Sequence, residues 1–168
     1  MRGTMIHLSL TTVATLVLLT ITAQAAEKKI SLDKVPKEVM AAVKARFPGA
    51  EVTSAEQETE DGQVVYDIEL KQKGRHYEMD IKADGTILQI EKEVDAKDLP
   101  EAVAKALDTK YPGATKEEIM EVNKVQGKEE KPIEYEVTLV TADKKRLEVT
   151  VSLDGKKMKA SKPEGDND

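Results

Sequence analysis

Few residues of this chain have the types and spacing needed for chemistry. The sequence has no cysteine, which excludes disulfides, thiol nucleophiles and thiolate zinc sites. One histidine, His76, lies outside an apolar N-terminal segment, and its strand-like neighbours predict a solvated position on the outer face of a sheet. No His-Glu-x-x-His, Gly-x-Gly-x-x-Gly or Gly-x-x-x-x-Gly-Lys motif is present. We therefore expect a protein that is not an enzyme and that needs no cofactor.

The densest acidic group consists of Glu56, Glu58, Glu60 and Asp61, and it is the candidate for calcium binding. Calcium needs oxygen ligands that converge from a bent loop, whereas alternate glutamates on a strand line up along one face. Gly62 predicts a hairpin tip directly after the group. A solvated strand is therefore the favoured interpretation, and calcium binding stays the alternative. The other acids fall mostly at polar positions of predicted helices and strands, which favours solvation over a catalytic carboxylate pair.

The overall charge is acidic. In 168 residues, Lys+Arg 26 against Asp+Glu 32 gives a net charge of -6, and 35% of the residues are charged. Such a chain is soluble and forms one domain or two small ones. Nucleic acid is not an expected partner, because phosphate binding needs a concentrated basic surface. The longest basic run, Lys144-Lys145-Arg146, is interpreted as a solvated hairpin turn.

The N-terminal segment has the three parts of a secretory signal peptide. Arg2 precedes an apolar stretch over residues 8–21, and Ala23-Gln24-Ala25 supplies the small residues of a cleavage site. The apolar stretch is short for a membrane span of about 20 residues. We therefore expect a signal peptide over residues 1–25, cleavage after Ala25, and a periplasmic or secreted protein with no membrane span after cleavage.

The rest of the chain contains an internal repeat. Residues 35–39 (VPKEV) and 46–50 (RFPGA) recur 64 residues later as 99–103 (LPEAV) and 110–114 (KYPGA). The offset grows to 70 further on, which predicts a small insertion in a polar loop near residues 126–131. The predicted boundaries are residues 30–94 for the first repeat and 95–160 for the second. Residues 161–168 are predicted to be a disordered tail.

Each repeat is predicted to begin with a helix that packs on strands. Apolar residues recur every four positions in two stripes: Val35, Val39, Val43 and Phe47, and Leu99, Val103, Leu107 and Tyr111. Alternating strands are predicted around residues 64–71, 76–82, 87–90, 133–139, 147–151 and 157–160, and weaker ones around 51–58 and 115–125. Asp84-Gly85 and Asp154-Gly155 are predicted to form two-residue hairpin turns. The predicted fold class is α+β: two tandem repeats, each one helix packed on a three- or four-stranded antiparallel sheet, with the two sheets side by side and continuous pairing between them as an alternative.

These motifs resemble the PepSY-like family, which is also described as β-lactamase-inhibitor-protein-like. The resemblance rests on the Leu-Pro-x-x-Val, Tyr-Pro-Gly-Ala, Tyr-Glu-Val-Thr-Leu and Val-Ser-Leu-Asp-Gly-Lys segments and covers about residues 30–160 as two copies. It implies an exported protein in which a helix packs on an antiparallel sheet. It also implies binding rather than catalysis, since the β-lactamase inhibitor binds its target with a sheet surface and PepSY domains occur in metalloprotease propeptides.

We therefore expect a monomeric module that binds a protein or peptide of the cell envelope, with a peptidase as one target class. The partner would dock on the polar sheet face or add a strand to a sheet edge. Acidic side chains on that face would steer a basic partner, and the predicted partner-binding residues are Asp67, Glu69, Glu78, Asp80, Glu136 and Glu148. The alternative is an envelope calcium-binding or structural module with no specific protein partner.

Overall fold

The computed structural model describes residues 28–60 and 62–161 of the chain. The elements are β1 (Lys28–Lys29), α1 (Lys37–Arg46), β2 (Glu51–Glu60), β3 (Gln63–Gln72), β4 (Arg75–Lys82), β5 (Ile87–Glu93), α2 (Glu101–Lys110), β6 (Thr115–Gln126), β7 (Glu129–Val140), β8 (Arg146–Ser152) and β9 (Met158–Ala160). The predicted signal peptide and residues 162–168 of the predicted tail lie outside the described residues. No helix of the described part is long and apolar enough to cross a membrane.

All nine strands belong to one antiparallel sheet, in which each strand pairs with the next along the chain. The prediction of two repeats, each with a helix on its own three- or four-stranded sheet, is therefore wrong. The difference lies at the centre of the molecule, where β5 pairs with β6 from Gln89↔Lys124 to Glu93↔Met120. Two separate sheets would each expose an edge at this point, with unpaired N–H and C=O groups. Pairing β5 with β6 satisfies both edges, so a single sheet is the better solution.

Both helices cover the same side of this sheet, each over its own half. Pro36 and Pro100 occupy the N-cap positions, where the missing proline N–H breaks no intrahelical hydrogen bond. In α1, Val39 and Val43 are fully buried against strand residues that include Ile68 and Met79. The corresponding second core packs around the following residues: Val103, Leu107, Val137 and Val149. The two predicted stripes are thus the ridges that bury the helices, with Tyr111 only half-buried.

The first strand after each helix is longer and less regular than its weak alternation predicted. Strand β2 shifts register between Val52 and Ser54, and β6 shifts between Lys116 and Glu118, 64 residues later. A β-bulge places one extra residue in the strand and inverts which face the following side chains occupy. The period of two is therefore broken within the strand, which explains why the sequence pattern was weak at the same place in both copies.

Three turn predictions need correction. The hairpin predicted at Asp154-Gly155 has four loop residues rather than two, since the Ser152 N–H donates to the Lys157 carbonyl over 3.0 Å. The polar segment 126–131, predicted as a loop, is mostly strand, because β6 extends to Gln126 and β7 begins at Glu129. The hairpin after β4 has three loop residues rather than two, since the Lys82 N–H donates to the Thr86 carbonyl over 2.9 Å. Gly85 adopts a φ of 85° in this loop. A type I turn followed by a left-handed glycine is the usual geometry of a three-residue hairpin.

Candidate functional site

The side of the sheet opposite the helices, called the open face below, carries the strand acids. Directly paired residues of an antiparallel sheet point to the same side. Asp67 faces Asp80, and Glu69 faces Glu78, so strands β3 and β4 contribute two opposed pairs of acids. The six acids predicted as a partner-binding surface all lie on the open face by this register: Asp67, Glu69, Glu78, Asp80, Glu136 and Glu148.

The structure separates these six residues into two groups. The first four are adjacent on β3 and β4, whereas Glu136 and Glu148 lie on β7 and β8. Strands β5 and β6 lie between the groups and contribute further acids that the sequence interpretation missed: Glu91, Glu93 and Glu118. Glu91 directly faces Glu78. Extending the alternation of β5 beyond Ile90 would have predicted Glu91 and Glu93, whereas the bulge in β6 hid Glu118.

The open face also contains buried apolar side chains. Val65 is 1% exposed, Met120 is 5% exposed and Val122 is fully buried, although no helix covers this side. Val122 pairs with Glu91 on one side and with Glu134 on the other. The acids next to this apolar strip are partly buried rather than fully solvated. The expectation of simply solvated strand acids is therefore wrong at the centre of the face.

Partial burial and mutual repulsion change the protonation of three carboxyl groups. Burial and the charge of Asp67 raise the pKa of Glu78 from its ordinary value of 4.5 to about 7. Burial and the charge of Glu136 raise the pKa of Glu91 to about 9. Burial and the charge of Glu148 raise the pKa of Glu136 to about 7. Low polarity and neighbouring negative charges both disfavour the ionised form, so these groups hold protons near neutral pH.

His76 connects the two halves of the open face. Its Nδ1 atom lies 2.8 Å from Glu118 Oε1, and its Nε2 atom lies 3.7 Å from Glu78 Oε1 and 4.0 Å from Glu69 Oε2. The backbone N–H of His76 donates to Glu93 Oε2 over 2.9 Å. Only 18% of the side chain is exposed. His76 lies on the outer face of the sheet, as predicted, but the prediction that it is solvated is wrong, because Glu118 reaches it from β6, across β5, and the sequence did not place β6 near β4.

The environment of His76 favours the imidazolium form. Burial by itself lowers the pKa of this group. The hydrogen bond to Glu118 and the charges of Glu78, Glu118 and Glu69 outweigh burial, so the pKa is raised above its ordinary value of 6.5. A cation between three carboxylates offsets part of their mutual repulsion. His76 is thus an internal counter-ion of the acidic surface.

A cleft next to His76 is lined by Thr53, Glu69, Lys71, Gly74, Arg75, His76, Glu93 and Glu118. General base catalysis on a hydroxyl would need a hydrogen bond between that hydroxyl and the imidazole. The ring atoms of His76 instead contact carboxylates within the described residues, and Thr53 forms no hydrogen bond with it there. The arrangement is suited to charge neutralisation and proton exchange.

The described residues contain no group of three or more metal-ligating side chains that could hold an ion. Glu56 and Glu58, from the predicted calcium candidate, lie on the open face of β2, where they pair with Asp67 and Val65. The side chain of Glu60 and the whole of Asp61 lie outside the description. The two described members therefore line up along one strand face, as the alternating spacing predicted.

Two family models match the chain in tandem. Residues 36–98 match the "peptidase propeptide and YPEB domain" family, PepSY, and residues 77–159 match the beta-lactamase-inhibitor-like, PepSY-like family. The chain is thus a tandem PepSY and PepSY-like protein, as the sequence motifs predicted. The two matched ranges overlap in β4 and β5, the strands on one side of the central pairing.

Solved structures of similar fold come from Bacteroides species. A BLIP-like protein from Bacteroides fragilis has 21% identity and a TM-score of 0.50, over 79% of this chain and 89% of that one. A protein described as periplasmic from Bacteroides eggerthii has 15% identity and a TM-score of 0.57, over 75% and 88% of the two chains. At these identities the similarity shows the fold alone. No curated protein sequence matches the chain.

Proposed function

We propose that this protein is an exported, non-catalytic module that binds a basic segment of a protein or peptide on its open face. The observation that carries the proposal is the set of acids on the open face from β3 to β8, interrupted on β6 by the buried Val122 and Met120, with Glu78 and Glu91 directly opposed beside that strip. Like charges placed directly opposite each other destabilise a sheet. A cationic partner would relieve this repulsion, so binding would be favoured electrostatically and would be fast.

The distribution of aromatic residues supports a charge-based rather than an aromatic interface. The chain has one Phe and four Tyr. All five pack on the helix side of the sheet: Phe47, Tyr66, Tyr77, Tyr111 and Tyr135. Tight protein interfaces concentrate aromatic residues at their centre. The open face lacks such anchors within the described residues, so we propose a salt-sensitive complex of moderate affinity.

Export and the target class rest on different observations. Residues 1–25 have the pattern of a cleaved signal peptide, and a neighbour of similar fold is described as periplasmic, which supports a periplasmic or secreted location. The PepSY match carries the description of a peptidase propeptide domain, and the second match is named after a β-lactamase inhibitor. A peptidase with a basic surface near its active site is therefore the first target class to test.

The proposal predicts face-specific binding of an oligoarginine peptide. We expect the purified protein to bind the peptide at low ionic strength and to lose most of this affinity at about 0.5 M salt, because exposed charge pairs are screened. The double substitution Glu69→Gln and Glu148→Gln, on the open face, should weaken binding about threefold to tenfold. Isothermal titration calorimetry measures both effects.

A matched control changes the same charge elsewhere. Glu38 and Glu101 are exposed residues in the first turns of α1 and α2. Their double substitution to Gln should leave peptide affinity within about twofold of the unmodified protein. Equal weakening by the two double variants would show that only net charge matters and would overturn docking on the open face. Binding that is insensitive to salt would instead favour strand addition at the edge of β2, where residues 28–30 pair along Ala55, Glu56 and Gln57.

A further inference from the structure

The open face has a second property, which rests on the proposed function and concerns its regulation. Its carboxyl groups form a connected row rather than isolated charges. Glu69 faces Glu78, Glu78 faces Glu91, and Glu91 is followed across the buried Val122 by Glu134. Three consecutive carboxylates at cross-strand spacing cannot all ionise without a large repulsive cost.

Strand β6, which separates the acids of β5 from those of β7, shields this row of carboxyl groups from water. Val122 and Met120 are buried on the open side of β6, so Glu91 and Glu136 approach each other over an apolar strip. Few bases of the described strands lie near the row. Lys71 faces His76 across β3 and β4, and Lys124 faces Gln89 across β5 and β6. His76 itself lies between Glu69, Glu78 and Glu118.

We propose that the open face is a proton-operated charge switch: Glu78, Glu91, Glu136 and His76 exchange protons across neutral pH and so set how tightly the face holds a cationic partner. On the acid side of neutrality, three carboxyl groups are neutral and the imidazole is positive, so the centre of the face is nearly uncharged. On the alkaline side, the carboxylates of Glu78 and Glu136 form first and the imidazole loses its charge, while Glu91, with a pKa of about 9, ionises at higher pH. Affinity for a cation therefore rises with pH.

The charged groups facing these residues come from every neighbouring strand. Around Glu78 they are Asp67 and Glu69 from β3, Glu91 from β5, Glu118 from β6 and His76 from its own strand. Around Glu91 they are Glu78 and Asp80 from β4, Lys124 from β6 and Glu136 from β7. Around Glu136 they are Glu91 from β5, Glu134 from its own strand, Glu148 from β8 and Lys159 from β9. Acids outnumber bases around each carboxyl group, and their raised pKa values agree with this geometry.

The test uses an oligoarginine peptide, because arginine keeps its charge throughout the range. At constant ionic strength we expect about tenfold tighter binding at about pH 8 than at about pH 6. Calorimetry near pH 7 in two buffers of different ionisation enthalpy should show release of about one proton or more on binding. Equal affinity at both pH values, with no proton released, would overturn the proposal while leaving the proposed binding function intact.

Two variants assign the effect to the named groups. The double substitution Glu78→Gln and Glu136→Gln should abolish most of the pH dependence, whereas the double substitution of Glu38 and Glu101 to Gln should retain it. The charge of His76 lowers the pKa of Glu78, so His76→Asn should raise the pKa of Glu78. This variant should therefore shift the midpoint of the pH dependence upward.

A measurement without peptide keeps the proton exchange testable if no binding occurs. Carboxyl NMR titration of the whole protein should find glutamate side chains with midpoints above about pH 6, and the two that belong to Glu78 and Glu136 should be absent from the Glu78→Gln and Glu136→Gln variant, whereas that of Glu91 should remain. If such glutamates titrate and the peptide never binds, the proposed function fails and the exchange stands. Titration of every glutamate below about pH 5.5 would overturn the switch.

Discussion

The two sides of the sheet are built from alternate residues of the same strands, yet they differ in almost every physical property. On β4, Met79 is fully buried beneath α1, while its neighbour Glu78 lies on the open face among carboxylates. The helix side is apolar and closely packed. The open side is acidic, with buried apolar side chains on β6 and at Val65 on β3. Adjacent residues of one strand therefore lie in an apolar core and on an acidic surface, because successive side chains of a strand point to opposite faces of the sheet.

The two sides of the sheet contribute differently to the free energy of folding. The helix side stabilises the fold by burying apolar surface, at about 1.5–3 kcal/mol for each fully buried aliphatic side chain. The open side accumulates like charges, which oppose folding and are tolerated because the helix side is strong. Such a distribution is expected where one face is kept for interactions. Substitutions on the two sides should therefore differ in their effect on stability.

The largest effect is expected for Met79→Ala on the helix side. Met79 is fully buried in the first core, so its truncation should lower the free energy of unfolding by about 2–5 kcal/mol. Urea denaturation measures this loss. Glu78→Gln is the adjacent control and should be neutral or stabilising at about pH 8, because it removes a like charge. A similar loss for both variants would contradict the contrast between the two faces.

Hairpin glycines on the helix side should tolerate less volume than those elsewhere. A Cβ atom on Gly155 would clash with the Ala102 carbonyl oxygen, whereas a Cβ on Gly127 would meet nothing within 4 Å. Both glycines have positive φ, so both alanine variants carry backbone strain of about 1 kcal/mol. Gly155→Ala should lose about 1–3 kcal/mol more than Gly127→Ala, because the hairpin must move away from α2. Equal melting temperatures for the two alanine variants would show that the hairpin at Gly155 is not in tight contact with α2.

Stability should fall as the pH rises, contrary to ordinary acid unfolding. The pKa of Glu91 is about 9 in the folded protein and near 4.5 when solvated, so the folded state binds more protons between these values. The stabilisation is complete below about pH 4.5 and is lost as the pH rises through about 9. Glu78, Glu136 and His76, whose pKa values are also raised, act in the same direction. Thermal unfolding should therefore show a melting temperature several degrees lower at about pH 9 than at about pH 5.

The smallest effect in this series is expected for Glu91→Gln. A neutral amide mimics the protonated carboxyl, so stability near pH 5 should change by less than about 0.5 kcal/mol. At about pH 9 the variant should be more stable than the unmodified protein by about 1 kcal/mol, because it avoids a buried charge. The pH dependence of the variant should be correspondingly flatter. An unchanged pH profile would show that Glu91 is not one of the proton-holding groups.

Local patterns predicted the elements well and their surroundings poorly. The stripes of Val39 and Val103 are buried as expected, since a helical period is readable from one segment. The six predicted acids fall on one face for the same reason. The partners of those acids were not readable, because Glu91 lies at the end of a strand that was predicted too short. Glu118 follows a bulge, which reverses the side on which an alternation pattern would place it.

The sequence alone determined the repeat, the amphipathic helices, the alternating strands and an acidic surface without cysteine, because each depends on residues close together along the chain. Only the tertiary structure decided that the strands form one nine-stranded sheet. It also decided that His76 meets Glu118, and that Glu91 is held between Glu78 and Glu136. These features depend on strand register and on exclusion of water, which arise when distant segments pair and which no local period encodes.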